Sequence, residues 1–125
     1  MTLVLDAGAL IAVERADRRV VALLKAERVA GRVPITHGGV VGQAWRDGAR
    51  QAVLARLLAG VEVVALDDVL GRRAGTLLAR AGADDVVDAA VVLIAADGDL
   101  ILTSDPGDLH GLASTSGIHV DLTMV

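Results

Sequence analysis

Apolar and polar positions along this chain fall into short blocks. Leu3-Val4-Leu5 is an uninterrupted apolar run that stops at Asp6, the pattern of a strand buried on both faces. Similar runs at Val33-Pro34-Ile35-Thr36, Val61 to Leu66, Leu100 to Thr103 and Ile118 to Leu122 predict further strands, with Pro34 favouring a place near an edge or a strand start. Between these runs the spacing turns helical. Ala9 to Glu14 predicts a short helix, and Asp17 the N-cap of a second, with Val20, Val21, Leu23, Leu24 and Val29 as its apolar stripe and Gly31 as its end. Val40 to Arg46 and Gln51 to Leu58 predict two more. Asp67-Asp68 caps a helix over Val69 to Ala81, closed by Gly82, and Asp84 or Asp85 caps a strongly apolar one from Val86 to Ala96.

Strands separated by helices imply right-handed crossovers. The expected architecture is therefore α/β, a three-layer sandwich with a mostly parallel central sheet of about five strands flanked by helices. No repeat or linker divides residues 1–125, which read as one domain.

Composition narrows this picture. The chain is 54% hydrophobic but only 1% aromatic, with Trp45 alone, so its core must be built from Ala, Val, Leu and Ile. The absence of Cys excludes disulfides, thiolate zinc sites and Cys nucleophiles. The start lacks a cationic leader, and Glu14, Arg15, Asp17, Arg18 and Arg19 interrupt the first apolar segment. Neither a signal peptide nor a membrane helix is expected, and a cytoplasmic location is. The net charge of −4 combines acids that are overwhelmingly Asp with bases that are all Arg except Lys25. A polyanionic substrate would need local arginines or bound cations to offset the acids.

The acids carry the candidate chemistry. Asp6 follows the first strand, Asp88 stands in the first turn of the apolar helix, and Asp105 lies just beyond Thr103, with Asp108 as a fourth candidate. Asp88 is informative because Val86, Val87, Ala89, Ala90, Val91 and Val92 surround it, and Asp85 already fills the cap position. Clustered carboxylates repel, and Mg²⁺ or Mn²⁺ relieves that repulsion while binding substrate phosphate. The implied chemistry is metal-assisted phosphodiester hydrolysis. Thr103 and Ser104 are candidate donors to Asp105 or Asp6.

Trp45 either fills the core or marks an edge where Arg46 and Arg50, one helical turn apart, contact substrate. Arg72-Arg73 and Arg80 fit a solvated helix face better than a phosphate contact. His37, His110 and His119 have no helical metal-ligand spacing, and His119 falls in a predicted strand.

Leu3 to Ala12, Asp88 to Ala95 and Leu102 to Leu109 together resemble the three acidic motifs of PIN domains, and more narrowly the VapC-type toxins of bacterial toxin–antitoxin pairs. The resemblance spans essentially the whole chain in order and spacing. It implies a compact sandwich around a parallel sheet, an endoribonuclease dependent on Mg²⁺ or Mn²⁺, RNA as substrate, homodimerisation, and inhibition by a VapB-type antitoxin. Asp6, Asp88 and Asp105 match the family's metal-binding acids, with Asp108 in support.

One position departs from the pattern. Where the family has a Glu in the helix after the second strand, this chain has Gln43. A neutral amide can hydrogen-bond a metal-bound water but cannot act as a base. Two readings stay open: a ribonuclease with a three-Asp site, or a weakened PIN-like module that binds RNA or a partner. Among other classes, a phospho-acceptor domain would need a lysine near its acids, and Lys25 is far from them. A phosphatase with an Asp-x-Asp pair is contradicted by Gly8. An interaction module whose acids only balance its arginines would bind no metal.

Overall fold

The computed structural model describes residues 1–125. Its first half runs β1 (Leu3–Leu5), α1 (Ala7–Glu14), α2 (Arg18–Val29), β2 (Ile35–His37), α3 (Gly38–Ala44), a single 3-10 turn (Gly48–Arg50) and α4 (Ala52–Ala59). The second half runs β3 (Glu62–Val64), α5 (Asp68–Ala81), α6 (Val86–Ile94), β4 (Leu100–Thr103), α7 (Pro106–Ser116) and β5 (Asp121–Met124). The strands form one sheet in the order β3-β2-β1-β4-β5, and every neighbouring pair is parallel. Helices α1 to α4 pack among themselves and α5 to α7 among themselves, making the three-layer α/β sandwich expected from the sequence.

The uninterrupted apolar run of β1 is explained by its central place. Leu3, Val4 and Leu5 are fully buried between β2 and β4, whereas the edge strand β3 leaves Glu62 and Val63 exposed. The core is aliphatic: Leu10, Val20, Val40, Leu54, Val91, Ile101, Leu102 and Leu109 are all fully buried. Trp45 is half-buried against this core, and a Cβ at Gly48 would lie 2.9 Å from its Cζ2. The core reading of Trp45 is the one the packing supports.

The structure corrects several boundaries. Helix α3 ends at Ala44 because Trp45 turns to an extended conformation, so Arg46 lies in a loop and Arg50 in the 3-10 turn, not one turn apart on a helix. Gln51 holds that loop. Its Oε1 accepts from the backbone N–H groups of Arg46 and Asp47 at 2.7 and 2.9 Å, and its Nε2 donates to Glu14 Oε1 and the Ala44 carbonyl. Pro34 stands just before β2, the strand start expected for it, although β2 is an interior strand. Val29 is 90% exposed and contributes nothing to the stripe of α2.

The largest differences fall in the last quarter of the chain. Residues 106–116 form α7, where no helix is expected. Pro106 occupies its first turn, Gly117 ends it at φ +79°, and Leu109, Leu112 and Ala113 make its buried face. The last strand begins at Asp121, and His119 lies outside it, because the Ile118–Val120 segment bridges α7 to the edge of the sheet. There the Gly98 N–H donates to the His119 carbonyl.

Candidate active site

The strand order runs outward in both directions from β1 and β4. In a parallel sheet this reversal opens a crevice beyond the carboxyl ends of the two strands, because their following helices leave in opposite directions. Asp6 follows β1 and Asp105 follows β4, so two of the acids selected from the sequence stand on either side of that crevice.

Asp6 is 7% exposed and caps α1. One carboxylate oxygen accepts from the Ala7 N–H at 2.8 Å, and the other accepts from Thr103 Oγ1 at 2.8 Å. The same Thr103 oxygen accepts from the Asp105 N–H at 3.0 Å. Fully buried Thr103 thus joins the Asp6 carboxylate to the backbone of Asp105, making the donation to Asp6 expected of it. Ser104 does something else. A Cβ at Gly8 would come within 2.7 Å of Ser104 Oγ and 2.8 Å of its backbone N, so Gly8 is what lets the start of α1 lie against the β4–α7 loop.

Asp88 projects from the first turn of α6. Asp85 Oδ1 caps that helix by accepting from the Asp88 N–H at 3.0 Å, so Asp88 has no capping duty. Asp88 is half-buried, and its carboxyl is pushed up to about 7, first by burial and then by the charges of Asp85, Asp6, Asp108 and Asp105. Those causes place Asp88 within the electrostatic reach of all the other acids selected from the sequence. Asp108, on the first turn of α7, is also raised, by hydrogen bonding and repulsion from Asp105 and more weakly by burial and by Asp85 and Asp84.

No arginine or lysine compensates this cluster. The ion pairs of the chain are Glu27–Arg32, Asp47–Arg50 and Asp68–Arg72, none of them in the crevice. A hard divalent cation suits such a donor set, which offers only carboxylate and hydroxyl oxygens under an uncompensated negative field. As the side chains stand, no three acidic or imidazole groups are close enough together to ligate a single ion. Concavities of about 570, 570 and 370 Å³ elsewhere on the chain are lined by other residues.

The remaining selected residues are placed less centrally. Gln43 is exposed on α3. Arg46 turns back on its own chain, donating to the Gly42 and Trp45 carbonyls, and Arg50 lies 3.8 Å from Asp47. Neither guanidinium forms part of the acidic cluster.

Two residues matter here that the sequence did not mark for function. Fully buried His37 ends β2 and caps α3: its Nδ1 accepts from the Gly39 N–H, and its Nε2 donates to the Val87 carbonyl at 3.0 Å. This ties the end of β2 to α6 beside Asp88. Burial holds the His37 imidazole below the usual histidine range and keeps it neutral, as the accepting Nδ1 requires, although the Val87 carbonyl and Asp6 act in the opposite direction. Thr36 Oγ1 donates to the Leu5 carbonyl at 2.7 Å, fixing the backbone just before Asp6. The available signal was a pair of polar residues at the carboxyl end of a predicted strand.

No protein-family model matches the chain, and no curated protein matches its sequence. Among solved structures it resembles a chain in the crystal structure of VapBC2 from Rickettsia felis bound to a DNA fragment from their promoter. The match has a TM-score of 0.68 and 11% sequence identity, over 98% of this chain and 99% of that one. The fold is thus a PIN-like α/β sandwich over its full length. No helix is long and apolar enough to cross a membrane.

Proposed function

We propose that the protein is a metal-dependent endoribonuclease, the toxin of a VapBC-type toxin–antitoxin pair, that hydrolyses RNA phosphodiester bonds at Asp6, Asp88 and Asp105. The observation that carries this reading is the placement of Asp6 and Asp105 at the carboxyl ends of β1 and β4, joined through Thr103, with half-buried Asp88 raised to about 7 by burial and then by the other acids. Such a cluster costs stability unless a cation joins it.

Asp6, Asp88 and Asp105 would hold the ion, with Asp108 in support. Mg²⁺ or Mn²⁺ bound there would polarise the phosphoryl oxygen and lower the pKa of the attacking water. The chain's own part is positional and protonic. Thr103 and the Ala7 N–H hold both oxygens of Asp6 in place, and the Thr103 contact to the Asp105 N–H sets the second ligand relative to the first. Asp88 carries a proton through part of the neutral range and must release it to become a ligand. The water oxygen forms the new bond to phosphorus, the bond to the ribose oxygen breaks, and that oxygen takes up a proton. A VapB-type antitoxin would restrain the activity, and a cytoplasmic homodimer is the expected working form.

The test is cleavage of RNA with Mg²⁺ or Mn²⁺ by the native chain and by Gln43→Glu, alongside calorimetric titration of Mn²⁺ into native and Asp6→Asn proteins. Metal-dependent cleavage and a Mn²⁺ signal lost in Asp6→Asn support the reading. Absence of cleavage by the native chain overturns it. A second reading, a weakened PIN-like module that binds RNA or a partner, is favoured by one observation: no three acids stand close enough to share an ion. Gain of cleavage only in Gln43→Glu would select that second reading.

A further inference from the structure

The acidic cluster leaves the arginines of α5 unexplained. Arg72, Arg73 and Arg80, with Thr76 and Ser116, surround a concavity of about 370 Å³ floored by Leu77 and Leu93. No carboxylate lines it. An ordinary solvated helix face mixes signs at one-turn spacing, because opposite charges there stabilise and like charges repel. Here α5 carries three arginines after Asp68 and no further acid, in a chain of net charge −4.

The three guanidiniums are differently held. Arg72 Nε lies 3.0 Å from Asp68 in an exposed pair, the kind that contributes little. Arg80 donates to the Thr115 carbonyl of α7, which anchors its guanidinium between the two helices. Arg73 is in none of the chain's ion pairs. We propose that this concavity is a phosphate-binding subsite that grips the RNA backbone outside the acidic cluster.

The identity of the polyanion rests on the ribonuclease reading above; the chemistry of the subsite does not. The acids that would cut the backbone also repel it, so attraction must come from elsewhere on the surface. Guanidiniums suit this because their donors match phosphate oxygens two at a time. Stacking cannot substitute for them, since the chain has one aromatic residue, half-buried Trp45. From Arg73 to the end of α5 is about 12 Å of helix, after which the chain turns into the acidic segment at Asp84 and Asp85.

The experiment is fluorescence anisotropy with a labelled single-stranded RNA of 12 nucleotides, in EDTA, across a salt series. Binding is read there without cleavage. For Arg73→Ala the expected result is roughly threefold or greater weakening at low salt, and a salt slope shallower by about 0.7 for the lost phosphate contact. Arg73→Lys should keep most of the slope, and Arg18→Ala on α2 should match the native chain. Equal affinity and slope for Arg73→Ala and the native protein overturn the proposal, as does an equal loss in Arg18→Ala. No measurable RNA binding by the native chain overturns it too. The two readings fail separately: binding that depends on Arg73 without cleavage in Mn²⁺ rejects the nuclease and keeps the subsite, whereas cleavage with Arg73→Ala binding like the native chain does the reverse.

Discussion

Replacing Asp88 by Asn should stabilise the metal-free protein above neutral pH and do nothing near pH 4. The Asp88 carboxyl is raised from an ordinary 3.8 to about 7 in the folded chain, first by burial and then by Asp85, Asp6, Asp108 and Asp105. Below the ordinary value both the folded and the unfolded chain keep this proton, and the residue costs nothing. As pH rises toward 7 the unfolded chain releases the proton while the folded chain retains it, so stability falls, and above the folded value the penalty is complete. Three pKa units correspond to roughly 4 kcal/mol without screening. Asp88 is only half-buried, and solvent screening reduces this to about 1–2 kcal/mol. For a chain of this length that is a rise in Tm of about 4–8 °C for Asp88→Asn at pH 8. The helix cap is untouched, since Asp85 accepts from the backbone N–H of residue 88. The assay is scanning calorimetry of both proteins at pH 4 and pH 8 in EDTA at low salt. An equal Tm difference at the two pH values, or none at pH 8, would refute the reasoning.

Three further outcomes follow from the same geometry. Titration of Mn²⁺ at pH 6.5 in buffers of different ionisation enthalpy should show proton uptake by the buffer that fades by pH 8.5, because Asp88 must deprotonate to bind; identical heats in all buffers would contradict this. Thr103→Val removes the donor to Asp6 and the acceptor for the Asp105 N–H, and should cost about 1–3 kcal/mol in a denaturant titration. It should also weaken Mn²⁺ binding about tenfold or more. Gly8→Ala should lose about 1–3 kcal/mol through its clash with Ser104, whereas Gly75→Ala, in open space on α5, should gain about 0.5–1 kcal/mol.

What the sequence disclosed was mostly local. Asp17, Asp67 and Asp85 cap the helices that follow them, and a cap is written in a few adjacent residues. Strand β4 appears with its expected ends because an apolar run bounded by Asp99 and Ser104 has no competing reading. Helix α7 is obscured by Gly107, Gly111, Ser114, Thr115 and Ser116, poor helix formers whose cost is met by burying Leu109 and Leu112. Its boundary signals, Asp105-Pro106 and Gly117, are nonetheless present. The roles of Thr36 and His37 could not be read in advance, because their hydrogen bonds reach 31 and 50 residues along the chain. Nor could the strand order, which depends on where each crossover returns.

That division explains how the candidate site is put together. Its β1–β4 half is preorganised by short hydrogen bonds: Asp6 has both oxygens engaged, and Asp105 is set by the same threonine. Its α6 half is held by backbone contacts from His37 and Asp85, which fix where α6 stands and leave the Asp88 carboxyl itself opposed by every acid around it. Of the three acids, Asp88 is thus the one whose protonation a bound cation would change most, while Asp6 and Asp105 are already fixed in place by hydrogen bonds. Gln43 fits this division, since a Glu there would add a further negative charge to α3, in the same direction as the burial and the acids that already raise Asp88. Gln43→Glu should therefore raise the Asp88 carboxyl further. Carboxylate titration followed by NMR reads this directly, and an unchanged Asp88 midpoint would place residue 43 outside the site.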